Sequence, residues 1–523
     1  MTPKPPSVVI VGAGPAGLTA AYVLARAGER PLVAEASPFV GGISRTETYK
    51  GYRFDIGGHR FFTKVGEVEA LWHEILGDDF VQTPRLSRIF YEGKFYPYPL
   101  ELGPTLRNLG PVESARIVAS YAWARLGPRR PAENLEQWVS ARFGVRLYET
   151  FFKTYTEKVW GMPCTEIRAD WAAQRIRELS LRRAVVHAVT GGGQDTSLIG
   201  TFQYPRLGPG MMWERAAGHV ERLGGTVEME TAVTRVAHEA TADGRRRVTE
   251  VDLETRAAAS GDGGPRQQTL RPDHVVSSMP ITHLVRRLDP APPADVVAAA
   301  DGLSYRDFLI VALVVDRADV FPDNWIYVHS PEVQVGRIQN FKNWSPEMVP
   351  DATTTCLGME YFCTRGDAVW DMDDEALIAL ATRELAQIGL ARADEIVDGT
   401  VIRQPMAYPV YDATYRAHLD TIRGYLGRFD NLQTVGRAGM HRYNNQDHSM
   451  LTALLAARNV LGAAGDGGRG DGAAGGDGAA GGDGAAGPHD LWEVNVERSY
   501  HESFSVDEAR ASEQSAADVL VPR

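Results

Sequence analysis

Three closely spaced glycines near the start of the sequence carry its clearest chemical signal. Gly12, Gly14 and Gly17 follow a β-branched run at residues 7–11 and precede an Ala- and Leu-rich segment with helical spacing. A strand, a tight turn and a helix in this order predict a dinucleotide site. The glycines allow the turn, the approach of a pyrophosphate to the backbone and close packing of helix on strand, so the phosphates lie at the helix N-terminus. Glu35 ends the next strand, roughly 20 residues further on, where a ribose-binding carboxylate is expected.

Two further glycine pairs extend this pattern. The first, Gly41 and Gly42, is followed closely by an arginine. The second, Gly57 and Gly58, ends an alternating strand and precedes His59. Such a turn lets the backbone approach a flat ring while an imidazole is presented at the edge of that ring. An ordinary turn with a hydrogen-bonded histidine is the alternative.

Aromatic and basic residues are concentrated in the helical segment that follows. Phe151 and Phe152 have the spacing of a core stripe, whereas Tyr155 and Trp160 are flanked by polar residues and are typical of a platform that faces a ligand. Downstream, four arginines form either a solvated helix face or a cluster for an anionic ligand: Arg175, Arg177, Arg182 and Arg183.

Bulk composition excludes several classes of protein. The 523 residues carry a net charge of -12, which argues against binding to nucleic acid. No apolar run has the roughly 18 residues of a membrane span, and the N-terminus lacks the pattern of a signal peptide, so a cytoplasmic location is expected. The three cysteines are too few and too scattered for a disulfide framework or a metal site, and no metal is expected.

Several motifs resemble UDP-galactopyranose mutases and, more broadly, the flavoprotein group that contains protoporphyrinogen and amine oxidases. They are Asn134-Leu135-Glu136, Tyr155-Thr156-Glu157-Lys158-x-Trp160-Gly161 and the turn at Gly57-Gly58-His59, and the similarity covers most of residues 7–461. The Gly41-Gly42 pair with its arginine also resembles the FAD-binding half of these oxidases rather than an NAD dehydrogenase.

The resemblance implies bound FAD, active in its reduced form, with NAD(P)H as one available reductant. The sequence turn and the resemblance together assign the cofactor to these residues: Gly12, Gly14, Pro15, Ala16, Gly17, Glu35, Ala36, Gly42, Ile43, Ser44, Gly57, Gly58, His59, Gly436, Arg437, Asp447, Ser449 and Met450.

The same resemblance implies a substrate site. Arg337, in the segment V-G-R-I-Q-N, matches the arginine that binds the substrate pyrophosphate. Tyr361 and Tyr408 match tyrosines near the diphosphate. His59 and one of the four clustered arginines, with Arg182 as the choice among them, are assigned to catalysis as well, and three aromatic residues are assigned to substrate binding: Tyr155, Trp160 and Tyr204.

The expected fold class is α/β, a Rossmann-like FAD-binding domain with an inserted helical lobe and an antiparallel β-sheet substrate domain. The Gly/Ala/Asp-rich tract near the C-terminus predicts a flexible linker. The predicted domains are FAD-binding segments 1–103, 201–284 and 401–461, the helical substrate lobe 104–200, the sheet domain 285–400, the linker 462–488 and the tail 489–523.

Two functions remain open from the sequence. The first is a nucleotide-sugar pyranose/furanose mutase of cell-surface polysaccharide or glycoside biosynthesis, in which N5 of reduced flavin attacks the anomeric carbon. The second is an FAD-dependent oxidoreductase of the protoporphyrinogen oxidase, amine oxidase or desaturase type, acting on an apolar substrate. The expected partner is a small nucleotide sugar, and the oligomeric state is open, with a homodimer as one option.

Overall fold

The computed structural model describes residues 7–98, 100, 102–126, 131–169, 197–198, 200–256, 264–467, 488–494 and 503–504. The strands, numbered in chain order, are β1 (Val8–Val11), β2 (Leu32–Ala34), β3 (Thr46–Tyr49), β4 (Tyr52–Asp55), β5 (Phe80–Pro84), β6 (Ser87–Tyr91), β7 (Lys94–Pro97), β8 (Ser197–Leu198), β9 (Thr201–Pro205), β10 (Thr226–Glu228), β11 (Thr231–Ala240), β12 (Arg246–Thr255), β13 (Arg266–Leu270), β14 (His274–Ser277), β15 (Leu288–Asp289), β16 (Tyr305–Val315), β17 (Trp325–Val328), β18 (Arg337–Asn340), β19 (Thr355–Cys363), β20 (Ile396–Pro409), β21 (Leu432–Thr434) and β22 (Ser503–Phe504).

The α-helices follow the same convention. They are α1 (Pro15–Arg26), α2 (Gly66–Leu76), α3 (Leu102–Leu109), α4 (Pro111–Leu126), α5 (Leu135–Phe143), α6 (Val145–Tyr148), α7 (Thr154–Trp160), α8 (Gly210–Arg222), α9 (Ile281–Arg287), α10 (Ala294–Asp301), α11 (Phe341–Trp344), α12 (Asp374–Gln387), α13 (Tyr415–Leu426), α14 (Gly436–Gly439) and α15 (Gln446–Gly467). A π-helical turn, Glu149–Lys153, joins α6 to α7, and short 3-10 turns lie at Gly42–Ser44, Pro346–Met348, Ala393–Glu395 and Leu491–Glu493.

A five-stranded parallel sheet in the order β10-β2-β1-β14-β21 forms the first layer. All four residues of β1 are buried, as expected for a parallel strand covered on both faces. One face packs against α1 and α15, and the other packs against a cluster that includes residues of β11, β12, α9 and α13. The β1–turn–α1 arrangement agrees with the sequence prediction.

A seven-stranded sheet in the order β20-β16-β19-β18-β17-β6-β7 forms the second large layer. Its pairs are antiparallel except for β17 with β6, which run parallel. The sheet crosses the predicted domain bounds, because β6 and β7 come from the first segment and β20 continues to Pro409. One face packs on α12, and the other faces the five-stranded sheet across a cavity.

The helical lobe contains α3 to α7 in its described part. Its core joins residues of these helices, such as Ile117, Trp138 and Tyr148, to Ile89 and Tyr96 of β6 and β7. Near the C-terminus, α15 ends at Gly467, five residues beyond residue 462, where the sequence predicts that the linker starts. Among the described residues, no helix combines the length and apolar character that crossing a membrane requires.

Candidate functional site

A cavity of about 640 Å³ lies between the two large sheets. We call the part around Gly12, Gly14 and Glu35 the glycine end, and the part around Arg337, Gln339 and Tyr408 the sheet end. Most of the residues that the sequence assigns to the cofactor line it: Gly12, Gly14, Pro15, Ala16, Glu35, Ala36, Gly42, Ile43, Ser44, Gly57, Gly58, His59, Gly436, Arg437 and Ser449.

The glycine end is shaped by backbone. Gly12 has a φ of +96°, and a Cβ there would lie 2.4 Å from Oγ of Ser278. That hydroxyl donates a hydrogen bond of 2.8 Å to the carbonyl of Val11 and so fixes the edge of the turn. Gly14 is the N-cap of α1 and Pro15 follows as its first residue, with no acidic side chain in the first turn. The unobstructed N-terminus of α1 therefore fits the pyrophosphate of a dinucleotide.

Glu35 follows β2 and lies at the wall of the glycine end. Its carboxylate accepts hydrogen bonds from the backbone N–H groups of Ala13, at 2.7 Å, and Ser37, at 2.9 Å. The side chain thus holds the glycine turn in register with β2. Its position beside the turn fits the proposed role of accepting hydrogen bonds from ribose hydroxyls.

Three residues assigned to the cofactor lie behind the cavity wall. A Cβ at Gly17 would lie 1.8 Å from the carbonyl oxygen of Gly12, so this glycine serves helix–strand packing. Met450 is fully buried, and its Sδ accepts a hydrogen bond of 3.1 Å from Trp72 Nε1. Asp447 lies beside His448, with 3.0 Å between Oδ1 and Nδ1. Gly17 belongs to α1, whereas Asp447 and Met450 belong to α15. None of the three lines the cavity, and their assignment to the cofactor stays a prediction.

His59 lies at the cavity wall after the glycine pair. Its Nε2 is 3.0 Å from the carbonyl oxygen of Ile56. Burial, together with the positive charges of Arg437 and Arg337, lowers the pKa of His59 to about 4. The imidazole is therefore neutral near pH 7 and can form hydrogen bonds but carries no charge.

The sheet end is built around a buried carboxylate. Glu360 of β19 is fully buried and accepts a hydrogen bond from Nε of Arg337 and another, of 2.9 Å, from Nε2 of Gln339. Both donors belong to β18 and both line the cavity. Burial opposes the charge on Arg337, but the attraction of Glu360 holds its pKa above the usual value. Arg337 thus presents a fixed, charged guanidinium to the cavity.

Two tyrosines and an arginine form the side wall of the sheet end. The rings of Tyr408 and Tyr443 stack with centroids 5.6 Å apart and an interplanar angle of 21°. The guanidinium of Arg437 lies 5.4 Å from the first ring and 4.7 Å from the second. It donates hydrogen bonds to the carbonyls of Asn444 and Ala407. Burial raises the pKa of Tyr408 to about 12, so its hydroxyl keeps its proton.

Tyr361 and Tyr204, which the sequence assigns to the site, do not line the cavity. Tyr361 follows Glu360 on β19, and successive strand residues point to opposite faces. Its hydroxyl donates a hydrogen bond of 3.0 Å to Glu384 of α12, on the far side of the sheet. The hydroxyl of Tyr204 donates to the buried carboxylate of Asp55. Both assignments to substrate contact are therefore corrected.

Tyr155 and Trp160 are not among the residues that line the cavity. The ring of Tyr155 stacks on His329 at 4.8 Å and meets Tyr327 edge-on at 5.4 Å. Trp160 is buried, with its ring 6.2 Å from that of Tyr443. They contact Tyr327 and Tyr443, which line the cavity. The ligand-facing platform stays a prediction.

Lys158, in the same motif, connects the helical lobe to the sheet end. Its Nζ donates hydrogen bonds to the carbonyls of Val328, at 3.3 Å, Ser330, at 2.7 Å, and Val335, at 3.2 Å. Burial lowers the pKa of Lys158 to about 8. The loop that leads into Arg337 is therefore fixed from the lobe. Arg182 lies outside the described residues, as do the neighbouring Arg175, Arg177 and Arg183.

The structure adds residues that sequence reasoning missed. Gln339 lies two positions after Arg337, so both side chains are on the same face of β18. The alternation of side chains along a strand could therefore have predicted Gln339 from the sequence. Most of the other additional residues reach the cavity through tertiary packing, and twenty of them are named next. They are Arg60, Thr231, Ala232, Val233, Ser278, Met279, Pro280, His283, Arg287, Trp325, Tyr327, Trp344, Gln404, Pro405, Met406, Ala407, Tyr443, Asn444, Asn445 and Gln446.

The charge of the cavity wall is positive. Among the described residues that line it, the arginines are Arg60, Arg287, Arg337 and Arg437, and Glu35 is the single carboxylate. The whole chain, in contrast, carries a net charge of -12. A cationic cavity in an anionic protein attracts anionic ligands.

Comparisons with known proteins agree with this arrangement. The family model of the flavin containing amine oxidoreductases matches residues 15–461. Among solved structures, reduced UDP-galactopyranose mutase is similar in fold, with a TM-score of 0.73 and 21% identity over 88% of this chain and 96% of that one. Putrescine oxidase bound to putrescine gives a TM-score of 0.58 and 18% identity over 87% and 99% of the two chains.

The similar curated proteins match over short segments. An L-amino acid oxidase of Crotalus durissus cumanensis is 53% identical over 64 residues, which are 12% of this chain and 13% of that protein. The 15-cis-phytoene desaturase of Arabidopsis thaliana is 41% identical over 88 residues, or 17% and 16% of the two chains. The chain thus matches less than a fifth of the length of these relatives.

Proposed function

Because this chain belongs to the family of flavin containing amine oxidoreductases, and its cofactor is FAD, we propose that this flavin-dependent enzyme interconverts the pyranose and furanose forms of a nucleotide sugar. The reaction is redox-neutral overall. The proposal needs two anionic groups in one cavity, the pyrophosphate of the cofactor and the diphosphate of the substrate.

The observation that carries the proposal is the charged group at the sheet end. The pyrophosphate of FAD is expected at the N-terminus of α1, at the opposite end of the cavity. Arg337, held by Glu360, is therefore available to a second anion. Its guanidinium is buried among aromatic rings, where a charge-assisted hydrogen bond is stronger than in water.

FAD supplies a nucleophilic N5 when it is bound in its reduced form. The residues of the chain bind and orient the sugar nucleotide against it. Arg337 stabilises the diphosphate as its negative charge grows on departure from the anomeric carbon. The hydroxyl of Tyr408, protonated because burial raises its pKa to about 12, donates a hydrogen bond to the same group.

The remaining side chains keep the displaced diphosphate close to the sugar. Gln339 is fixed by Glu360 and offers its carboxamide to the substrate. Tyr327, Trp325 and Trp344 provide aromatic surface that excludes water and can stack on a base or a sugar. Held at short distance, the two fragments recombine faster than they separate.

A flavin-dependent oxidoreductase acting on an apolar substrate is the second candidate. The five aromatic side chains at the sheet end favour it, namely Trp325, Tyr327, Trp344, Tyr408 and Tyr443. The cationic groups argue against an amine substrate, because Arg437 lies against the two tyrosine rings and Arg337 lines the same end of the cavity. An ammonium group there would meet positive charge.

The two candidate functions differ in the number of electrons that each product molecule requires. The FAD-loaded protein is reduced once with dithionite under anaerobic conditions and incubated with a panel of nucleotide sugars. The mutase proposal predicts many product molecules per flavin without further reductant, detected by chromatography. Consumption of one oxygen or acceptor molecule per product, with no conversion of nucleotide sugars, would establish the oxidoreductase instead.

A further inference from the structure

The outer face of α4 in the helical lobe is apolar and exposed. Val112 is 66% exposed, Val118 55%, Trp123 80% and Leu126 85%. The opposite face holds the helix on the lobe, where Ile117 is 3% exposed and joins the lobe core. Large apolar side chains grouped on one exposed helix face indicate a surface that contacts a partner or a membrane.

The charge of the same segment is positive. Between Ser114 and Ala132 the sequence contains no aspartate or glutamate and four arginines: Arg116, Arg125, Arg129 and Arg130. Arg116 and Arg125 belong to α4 and are exposed. The nearest acidic residue, Glu113, is only partly exposed and pairs with Arg146 and Arg116. This local charge opposes the net charge of -12 of the whole chain.

We propose that α4 docks on the surface of an anionic lipid bilayer, lying in the plane of the interface. Trp123, Leu126 and Val118 would enter the boundary between head groups and acyl chains, and Arg116 and Arg125 would contact anionic head groups. A helix with this combination binds through buried apolar area and electrostatic attraction together. Tryptophan is also enriched at this depth of a bilayer.

The length and the charge of α4 favour this occupant over a second copy of the chain. Its 16 residues extend over about 24 Å, which suits a helix that lies flat. A twofold contact through this face would bring the arginines of both copies into one interface. Like charges at close range oppose such a contact.

The test uses the full-length, FAD-loaded protein and sedimentation with vesicles. Vesicles of phosphatidylcholine alone are compared with vesicles that also contain phosphatidylglycerol. We expect sedimentation with the second kind only, and loss of binding at high salt. W123S combined with L126S should weaken the partition coefficient on the order of tenfold or more. R116Q combined with R125Q should weaken it about tenfold.

Matched controls lie on other exposed surfaces. Leu223 is 44% exposed at the end of α8, and L223S should leave vesicle binding unchanged. Arg271 and Arg392 have exposed side chains, and R271Q combined with R392Q removes the same charge elsewhere without effect. Flavin absorbance and thermal unfolding establish that each variant is folded.

Three outcomes would overturn the proposal. They are no sedimentation with anionic vesicles, equal binding by the α4 variants and the controls, or a dimer in vesicle-free solution that W123S and L126S convert to monomer. The last result would assign the face to a second copy. Because vesicle binding is measured without substrate, the outcome is independent of the proposed mutase reaction.

Discussion

The glycine end and the sheet end of the cavity are built from different chemical groups of the chain. At the glycine end, backbone groups and glycines, which have no side chain, form the wall. The closest packing distances there are those around Gly12 and Gly17. At the sheet end, side chains form the wall, and a buried charge pair, Arg337 with Glu360, fixes them. Tolerance to mutation should differ accordingly. The first end fails by steric overlap, and the second by loss of charge or hydrogen bonding.

The largest effect is expected from adding one methyl group at the glycine end. In Gly17→Ala, the new Cβ would lie 1.8 Å from the carbonyl oxygen of Gly12. Backbone cannot move aside cheaply, so we expect loss of several kcal/mol of stability and no bound FAD. Expression yield, thermal unfolding and flavin absorbance measure this.

Gly66→Ala is the matched control, since nothing lies within 4 Å of a Cβ at that helical position. It should fold and bind FAD as the natural protein does. A Gly17→Ala protein of normal stability with bound FAD would contradict the expectation that the glycine end fails by steric overlap.

At the sheet end, Arg337→Met should lower turnover tenfold to a hundredfold or more, because a charge-assisted hydrogen bond contributes roughly 1.5–3 kcal/mol. FAD should remain bound. The variant also leaves Glu360 buried without a cation, so we expect a loss of about 3–5 kcal/mol of stability in urea unfolding.

The double variant Arg337→Met/Glu360→Gln separates these effects, because it removes the buried charge along with its partner. Most of the stability should return while turnover stays low. If turnover returned with the stability, Arg337 would be a structural partner of Glu360 and nothing more.

Buried titratable groups near the sheet end should make this region sensitive to acid. Burial, reinforced by the charge of Lys158, lowers the pKa of His329 from 6.5 to about 3. As pH falls below 6.5, the unfolded chain binds a proton that the native protein does not yet bind. Stability is therefore lost from pH 6.5 downward, until His329 of the native protein is itself protonated near pH 3.

His329→Phe keeps the stack on Tyr155 and removes the titration. We expect its free energy of unfolding to fall less between pH 6.5 and pH 4, by about 1–3 kcal/mol relative to the natural protein. The exposed His73 provides a control substitution of the same kind, His73→Phe. If the free energy of unfolding changed equally with pH in His329→Phe and in the natural protein, this account would be wrong.

The smallest effects should come from two hydroxyl groups on opposite faces of the seven-stranded sheet. Tyr361→Phe removes the hydrogen bond to Glu384 and should cost about 1 kcal/mol of stability without changing turnover. Tyr408→Phe removes a hydroxyl at the cavity and should lower turnover about threefold to tenfold. Steady-state kinetics and urea unfolding distinguish them. A larger kinetic effect for Tyr361→Phe would place the reaction on the other face.

The same contrast explains which features could be predicted from the sequence. The glycine turn, Glu35 and β1 are adjacent in sequence, so local pattern and turn chemistry were sufficient to predict their arrangement. Arg337 and Tyr408 came from the resemblance to UDP-galactopyranose mutases, and both line the cavity. A shift of one residue along β19 reverses the face of the sheet to which the Tyr361 side chain points. The resemblance did not determine the position of Tyr361 to that accuracy.

Other features depended on distant contacts. Tyr155 was expected to face a ligand because polar residues flank it, but it stacks on His329 of a loop about 170 residues away in sequence. The role of Lys158 became apparent only when its three carbonyl partners were located. Hydrophobic periodicity carries no information about such pairs.

The strand order of the parallel sheet has a consequence for synthesis on the ribosome. β1 ends at Val11, its neighbour β14 ends at Ser277, and β21, which completes the sheet, ends at Thr434. At about 5–20 residues per second, roughly 20–90 s pass between the first and the last of these strands. For that time the nascent chain carries an incomplete sheet edge. Residues 436, 437 and 449 of the cavity wall emerge later still, so FAD binding can contribute its full stability only after these residues have been made.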